Sequence, residues 1–335
     1  MRAIIQDAYG PPDVVLTVQD IAKPSVGDSD VLVRVHAVPV AGDDWHLVQG
    51  LPYLARVATG LRKPKSRVTG LQMAGTVEAV GAKVVDFLVG EEVFGWCAGA
   101  FAEYVAVPEG QLAHKPINLS LEEAAAVPIS AFTALQGVRD GGRLKAGQSI
   151  LITGASGGVG IYAVQIAKAY GAEVTGVCST AKVDLVHSLG ADHVIDYTKE
   201  HFSANGKRYD VVLDIYGNSS LSQCRRALKP GGVLVFIGGT GGRWFMGVDR
   251  WLRGLLVSPF LGVKMRPLIH KDSHADLLVL RELIESGEVR PVIDRTYPMS
   301  AIAQAIADVK AGRTRGQVVV AVATALKPAQ AMPSA

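Results

Sequence analysis

Residues 149–170 restrict the possible folds more than any other stretch. Ser149-Ile150-Leu151-Ile152-Thr153 is a short apolar run of strand type. Gly154-Ala155-Ser156-Gly157-Gly158-Val159-Gly160 is a run of small residues, and Gly158 to Tyr170 has helical character with few charges. A strand, a glycine turn and a buried helix in that order open a βαβ unit. Ala155-x-Gly157-x-x-Gly160 is the G-x-G-x-x-G pattern with alanine in first place. Small residues let the backbone turn sharply and approach a pyrophosphate, and the helix N-terminus offers N–H groups and a partial positive charge. Ala155, Ser156, Gly157, Gly158, Val159 and Gly160 are therefore the first cofactor-binding candidates.

The flanking sequence extends the unit. Strand patterns recur at Glu173-Val174-Thr175-Gly176-Val177, at Asp210-Val211-Val212-Leu213-Asp214 and at Val233-Leu234-Val235-Phe236-Ile237, with helical stretches between them. Such alternation predicts a doubly wound parallel sheet with helices on both faces. The first third reads differently. Val31–Val38, Gly75–Gly81, Glu92–Gly95 and Ala102–Pro108 are short strand patterns punctuated by Gly and Pro, which predicts a compact, barrel-like β domain. Ser120-Leu121-Glu122-Glu123 has capping-box form, Ser273 and Ser300 are placed to cap two late helices, and Gln317–Val322 is a final strand. The fold class is α/β.

Composition narrows the function. The chain is 49% hydrophobic, enough for a large core, and its net charge of +3 lacks the concentrated basic patch of a nucleic-acid-binding protein. The densest basic stretch, Arg62-Lys63-Pro64-Lys65-Ser66-Arg67, reads either as a solvated loop or as a loop that attracts an anionic ligand. Cys97, Cys178 and Cys224 are few, odd in number and far apart, which fits a reducing compartment. The opening residues lack a signal-peptide core and no apolar run reaches about 18 residues, so a cytoplasmic protein without membrane insertion is expected. The tail from Lys327 to Ala335, rich in Ala and Pro, is expected to fray.

The second strand bears on which nicotinamide cofactor is held. NAD sites usually place Asp or Glu at its end, on the ribose diol. Here that strand ends Val177-Cys178-Ser179-Thr180-Ala181-Lys182, and the first carboxylate, Asp184, comes later. Ser179, Thr180 and Lys182 supply two hydroxyls and an ammonium, which suit a 2′-phosphate and point to NADPH.

These residues, with Gly70–Gly81, Gly99–Tyr104, Ala124–Pro128 and Leu189–Tyr197, resemble the zinc-independent branch of the medium-chain dehydrogenase/reductase superfamily, most closely its quinone oxidoreductase-like members. The resemblance covers most of the chain. It implies a GroES-like catalytic domain made of residues 1–126 and 269–335, and a Rossmann NADP-binding domain at 127–268 between them, with the active site in the cleft. It also implies that Tyr197 packs by the 2′-phosphate with Ser179 and Lys182, that Thr133 lies near the nicotinamide, and that Gly217, Asn218, Gly238, Gly239 and Arg315 line the cofactor. Homodimers are common among such relatives.

Alcohol dehydrogenases of this superfamily polarise a carbonyl with zinc held by thiolate and imidazole ligands. The corresponding positions here are Ala41, Leu71 and Ile129, which carry no donor atoms, so no metal is expected. Without a Lewis acid the suitable acceptors are quinones and α,β-unsaturated carbonyls, which delocalise the incoming charge themselves. In zinc-free relatives the loop reads Asn-Pro-x-Asp; here Asp44 matches the aspartate, while Ala41 and Gly42 replace the Asn and Pro. Asp44 orients the loop or a proton-carrying water, or simply caps it. His46 supplies a proton or is an exposed histidine, and Tyr53 bonds an acceptor oxygen or packs. The apolar segment from Gly241 to Pro267, rich in Trp, Phe, Leu and Met with Arg243, Arg250 and Arg253 between, roofs the cleft, forms a subunit contact or touches a membrane surface. The function expected is NADPH-dependent, zinc-free hydride transfer to a small-molecule quinone or enone. Two alternatives stand beside it: an NADPH-binding redox sensor without turnover, and an NAD(P)-dependent alcohol dehydrogenase.

Overall fold

A computed structural model describes residues 1–239, 244 and 247–322, with the side chains of Asp43, Val248, Pro259 and Phe260 left aside. Arg243, Phe245, Met246 and the tail from Lys327 fall outside the described residues. The chain opens with the antiparallel pair β1 (Arg2–Gln6) and β2 (Leu16–Asp20). β3 (Asp30–Val40), β4 (Gln72–Val80), β5 (Glu92–Trp96), β6 (Tyr104–Pro108) and β7 (Leu112–His114) follow. Next come β8 (Ser149–Thr153), β9 (Glu173–Cys178), β10 (His193–Asp196), β11 (Tyr209–Asp214), β12 (Leu228–Phe236) and β13 (Lys264–Pro267), and the chain returns through β14 (Ile293–Pro298) and β15 (Gln317–Ala321).

Two sheets carry the fold. The six-stranded sheet has the order β10-β9-β8-β11-β12-β13 and is parallel throughout. Its order reverses between β8 and β11, which opens a crevice at their carboxyl ends. The seven-stranded sheet runs β14-β15-β3-β4-β5-β7, with β6 also on β3. Its central strands are buried on both faces, alternate positions feeding different cores, and Ile4, Val33, Met73, Phe101 and Val320 fill one of them. β15 pairs antiparallel with β3, Val318 opposite Val40 and Val320 opposite Val38, so the last strand is built into the first domain's sheet.

A second core runs on from the seven-stranded sheet into the parallel one. Ala37, Ala74 and Phe94 pack with Phe132 and Leu135 of the helix Pro128–Gln136, with Ile161 and Val164 of the helix Gly158–Ala169, and with Leu277, Leu280 and Ile284 of the helix His274–Glu285. The capping predictions hold at two of three places. Ser120 accepts from the Glu123 N–H and Ser273 from the Asp276 N–H. Ser300 does not cap: after Pro298 the chain forms a 3-10 turn, Met299–Ala301, so Ser300 lies inside that turn and the helix Ile302–Lys310 starts behind Ala301 without a side-chain cap. Among the described residues no helix is long and apolar enough to cross a membrane.

Candidate active site

The glycine turn sits at the carboxyl end of β8, at the crevice. Gly157 is extended (φ −88°, ψ 178°) and precedes the helix Gly158–Ala169, whose N-terminus no side chain caps. A Cβ on Gly160 would lie 2.1 Å from the Gly154 carbonyl oxygen, so only glycine lets helix and turn pack this closely. A Cβ on Gly157 would meet nothing nearer than that same oxygen at 3.4 Å, so its open side faces free space. Ser156 is buried and its carbonyl accepts from the Gly316 N–H (2.9 Å). This cradle of small residues under an uncapped helix end fits a pyrophosphate.

The ends of β9 and β10 lie beside it. The Tyr197 N–H donates to the Cys178 carbonyl (3.1 Å), which sets Tyr197 next to Ser179. The Tyr197 side chain is 62% exposed, a flat surface open to a ligand. Lys182 donates to the Gly312 carbonyl (2.8 Å), and Arg315 donates to the Ala181 carbonyl. Ser179, Lys182, Tyr197 and Arg315 are thus brought to one end of the crevice. Burial, helped by Arg315, pushes the Lys182 ammonium below its ordinary value, while Cys178 and Asp294 act the other way. Thr180 differs from expectation. Its hydroxyl donates to Asp196 (2.6 Å), a bond that chiefly holds the Asp196 carboxyl down at about 2, so that proton is engaged inside the protein.

The strand-end loops meet in the middle of the crevice. A Cβ on Gly217 would lie 2.4 Å from the Gly238 carbonyl oxygen, so the loops after β11 and β12 touch through glycine. Asn218 is exposed and Gly238 and Gly239 are half-buried beside it. Thr133 is buried in its helix and its hydroxyl donates to the Ile129 carbonyl (2.8 Å), leaving the hydroxyl oxygen as an acceptor.

On the facing domain Asp44 is buried and one carboxylate oxygen accepts from the Ala41 N–H (2.8 Å). This is a helix cap for Gly42–Gln49, the capping role among the expected alternatives. The half-buried His46 packs its ring on Trp45, with centroids 4.6 Å apart. Tyr53 meets Trp244, which follows β12, edge to face at 5.2 Å, so an aromatic contact spans the two domains. The Arg56 guanidinium stands 4.5 Å from the Tyr9 ring and 4.8 Å from that of Tyr53.

Two of the three places where zinc-holding relatives bind the metal lie close together here. The Gln72 side chain, next to Leu71, accepts from the Ile129 N–H (2.8 Å). Ala41, Leu71 and Ile129 are aliphatic, however, and do not fit a metal. Among the described residues no three His, Cys, Asp or Glu side chains are grouped as metal ligands.

One constellation escaped the sequence reading. Asp214, wholly buried at the end of β11, accepts from the Thr153 hydroxyl (2.8 Å), and its carbonyl accepts from Ile237 N–H (3.1 Å). Arg250, from the helix Val248–Leu261, pairs with its other oxygen at 2.5 Å. Asp214 thereby joins the ends of β8, β11 and β12 beneath the cofactor crevice. Its only sequence signal is a carboxylate closing an apolar strand.

Comparison with known proteins agrees with the fold. Residues 27–117 match the family described as "Alcohol dehydrogenase GroES-like domain" and residues 189–320 the family described as "Zinc-binding dehydrogenase". The chain is 33% identical to the mouse (Mus musculus) "NAD(P)H oxidoreductase RTN4IP1, mitochondrial", over 96% of this chain and 89% of that protein. It is 34% identical to the "NADPH-dependent alkenal/one oxidoreductase, chloroplastic" of Arabidopsis thaliana, over 96% and 79%. The solved quinone oxidoreductase of Coxiella burnetii superposes with a TM-score of 0.85 at 26% identity, covering 96% of this chain and 99% of that one. With the GroES-like sheet, the Rossmann sheet and the glycine cradle in these places, the chain belongs to the quinone oxidoreductase-like branch of the medium-chain dehydrogenase/reductase superfamily.

Proposed function

We propose that this protein is an NADPH-dependent, zinc-free reductase of quinones or α,β-unsaturated carbonyls. The observation that carries the cofactor assignment is the convergence of Ser179, Lys182, Tyr197 and Arg315 at the end of β9. Bound there, NADPH would supply a hydride to the acceptor. The helix N-terminus at Gly157–Gly160 would hold the pyrophosphate, Lys182 and Ser179 the 2′-phosphate, and Gly217, Asn218, Gly238 and Gly239 the stretch toward Thr133. Tyr53 would hydrogen-bond the acceptor oxygen at the cleft mouth, with His46 as a proton source and Asp44 fixing the His46 helix through its cap. The aliphatic residues at positions 41, 71 and 129 favour an acceptor that needs no Lewis acid. The Arabidopsis and Coxiella relatives' names support the enone and quinone classes.

The domain division proposed is 1–126 with 269–335 for catalysis and 127–268 for the cofactor, and the protein is proposed to act as a homodimer. Three buried, unpaired cysteines support a reducing compartment, for which we propose the cytoplasm, although the mouse relative is named as mitochondrial.

The test is Lys182→Glu. A charge-assisted hydrogen bond to phosphate is worth about 1.5–3 kcal/mol, so NADPH affinity should fall roughly 10- to 150-fold while NADH affinity changes little. Equal losses for both would remove Lys182 from the phosphate site. Tight NADPH binding with no oxidation by any quinone or enone would favour the sensor reading, which the departures at Ala41 and Gly42 support.

A further inference from the structure

The segment from Tyr53 to Arg67 holds a surface that hydride transfer leaves unused. The 3-10 turn Tyr53–Ala55 runs straight into the short helix Arg56–Thr59, so Leu54 and Val57 share a face. Leu54 is 52% exposed, and Val57 and Leu61 are each 72% exposed. The chain then closes on itself: the Gly60 N–H donates to the Arg56 carbonyl and the Lys65 N–H to the Thr59 carbonyl, both at 2.8 Å. This turn sets the exposed Arg62, Lys63 and Lys65 beside the three aliphatic side chains. Arg67 is taken up by Asp7 (2.6 Å), which Lys63 also reaches electrostatically, whereas Arg62, Lys63 and Lys65 form no ion pair within 4 Å among the described residues. The segment is held firmly from below. Arg56 donates to the Gly50 carbonyl (2.8 Å), and the Tyr9 hydroxyl donates to the Gly60 carbonyl (2.9 Å).

Another aliphatic cluster shows what is particular here. Val85, Leu88 and Val89 are 82%, 69% and 65% exposed, but Asp86, Glu91 and Glu109 surround them, Glu109 accepting from the Val85 and Asp86 N–H groups. Aliphatic protrusion and positive charge outside any ion pair coincide only at the first of these two clusters.

We propose that residues 54–65 dock the protein on an anionic lipid surface, Leu54, Val57 and Leu61 entering the interface and Arg62, Lys63 and Lys65 meeting lipid phosphates. Side chains this exposed form a protrusion rather than a groove. A fluid interface accepts a protrusion of any shape, while an acidic protein partner would need a matching pocket. Docking needs neither NADPH nor an acceptor, so it stands apart from the proposed reaction.

The full chain is sedimented with vesicles of phosphatidylcholine alone and of equimolar phosphatidylcholine and phosphatidylglycerol. Binding is expected to the anionic vesicles alone and to weaken with salt. One charge at the surface is worth about fivefold, so Lys63→Glu, a change of two charges, should weaken binding about 25-fold. Leu61→Glu should weaken it by about tenfold or more. Val85→Glu should change nothing, and unfolding curves should show that all three variants fold. Equal binding to neutral vesicles, or anionic binding that ignores both Lys63→Glu and Leu61→Glu, overturns the proposal. So does absence of vesicle binding together with a change of oligomeric state in Leu61→Glu, which would make the patch a contact between copies of the chain.

Discussion

Replacing Gly160 by alanine tests whether the turn is a phosphate cradle or only a tight bend. The new Cβ would stand 2.1 Å from the Gly154 oxygen and 2.7 Å from the Ala155 Cα. Carbon–oxygen contacts close to about 3.3 Å, so helix and turn must part by about 1 Å. No side chain can yield instead, because every atom in the way is backbone, and Ile161 to Ala167 behind it are buried. Overpacking of this kind costs about 1–3 kcal/mol. At roughly 2–4 °C per kcal/mol for a chain of this order, Tm should fall by several degrees. The same displacement carries the helix N-terminus away from where the phosphates are proposed to lie, and a 1 Å misplacement can cost about a hundredfold in rate. Gly157→Ala separates the two effects. Its Cβ meets only an ordinary 3.4 Å contact at an extended backbone, so stability should stay within about 0.5 kcal/mol of the parent. That Cβ projects into the space where the pyrophosphate would lie, and cofactor affinity should drop by about tenfold or more, since each 1.4 kcal/mol is a factor of ten. Thermal unfolding and titration of NADPH fluorescence read the two quantities. If Gly160→Ala melts with the parent, or Gly157→Ala binds NADPH as the parent does, the cradle argument is wrong.

Two further outcomes follow from buried groups. Arg250→Met would leave the Asp214 carboxylate buried without its ion-pair partner, at a cost of about 3–5 kcal/mol, and adding Asp214→Asn should recover much of that loss in urea unfolding; no recovery would show that Arg250 acts by packing alone. Burial pushes the thiols of Cys97 and Cys224 up to about 12 and that of Cys178 to about 11, from an ordinary value of 9.0. The folded protein therefore holds these protons more tightly than the unfolded chain. That stability is fully present below pH 9 and is lost as pH rises through about 11 to 12, so denaturation midpoints should fall over this window, less steeply in Cys97→Ala. An unchanged slope in that variant would count against Cys97.

The parts of the molecule visible in the sequence are those written in local patterns. The glycine turn, strands such as β3, β8, β9 and β11, and the Ser120 and Ser273 caps each announce themselves within a dozen residues, whereas β1, β2, β7, β10, β13 and β14 do not. What escaped depends on contacts between distant positions. Ser300 has the right residue type for a cap, but the 3-10 turn after Pro298 shifts the helix start past it. Thr180 has the right hydroxyl for a phosphate, and only the pairing of β9 with β10 shows that Asp196 receives its proton. Arg250 stood among the apolar residues expected to roof the cleft, yet it points inward to Asp214, 36 residues earlier in the chain. Around it the same helix exposes Leu252, Leu255 and Leu256, so its apolar character divides between the core and the surface.

The resemblance to known relatives implies that Arg315 is a late cofactor contact, and the structure ties its stretch of chain to the crevice. Four bonds tie the stretch 312–317 to the cofactor crevice. Lys182 donates to the Gly312 carbonyl, Arg315 to the Ala181 carbonyl, the Gly316 N–H to the Ser156 carbonyl, and the Gln317 side chain to the Gly158 carbonyl. The last residue of this stretch, Gln317, begins β15, which belongs to the other domain's sheet through β3. Both ends of the proposed dinucleotide site, the glycine turn and the loop after β9, are therefore held by the strand that closes the GroES-like sheet. A shift of either sheet would pull on these bonds, so the geometry of the proposed 2′-phosphate site and the width of the cleft are set by the same short stretch of chain. Cofactor selection and acceptor access should consequently respond together to substitutions in 312–317, even at positions that touch neither ligand.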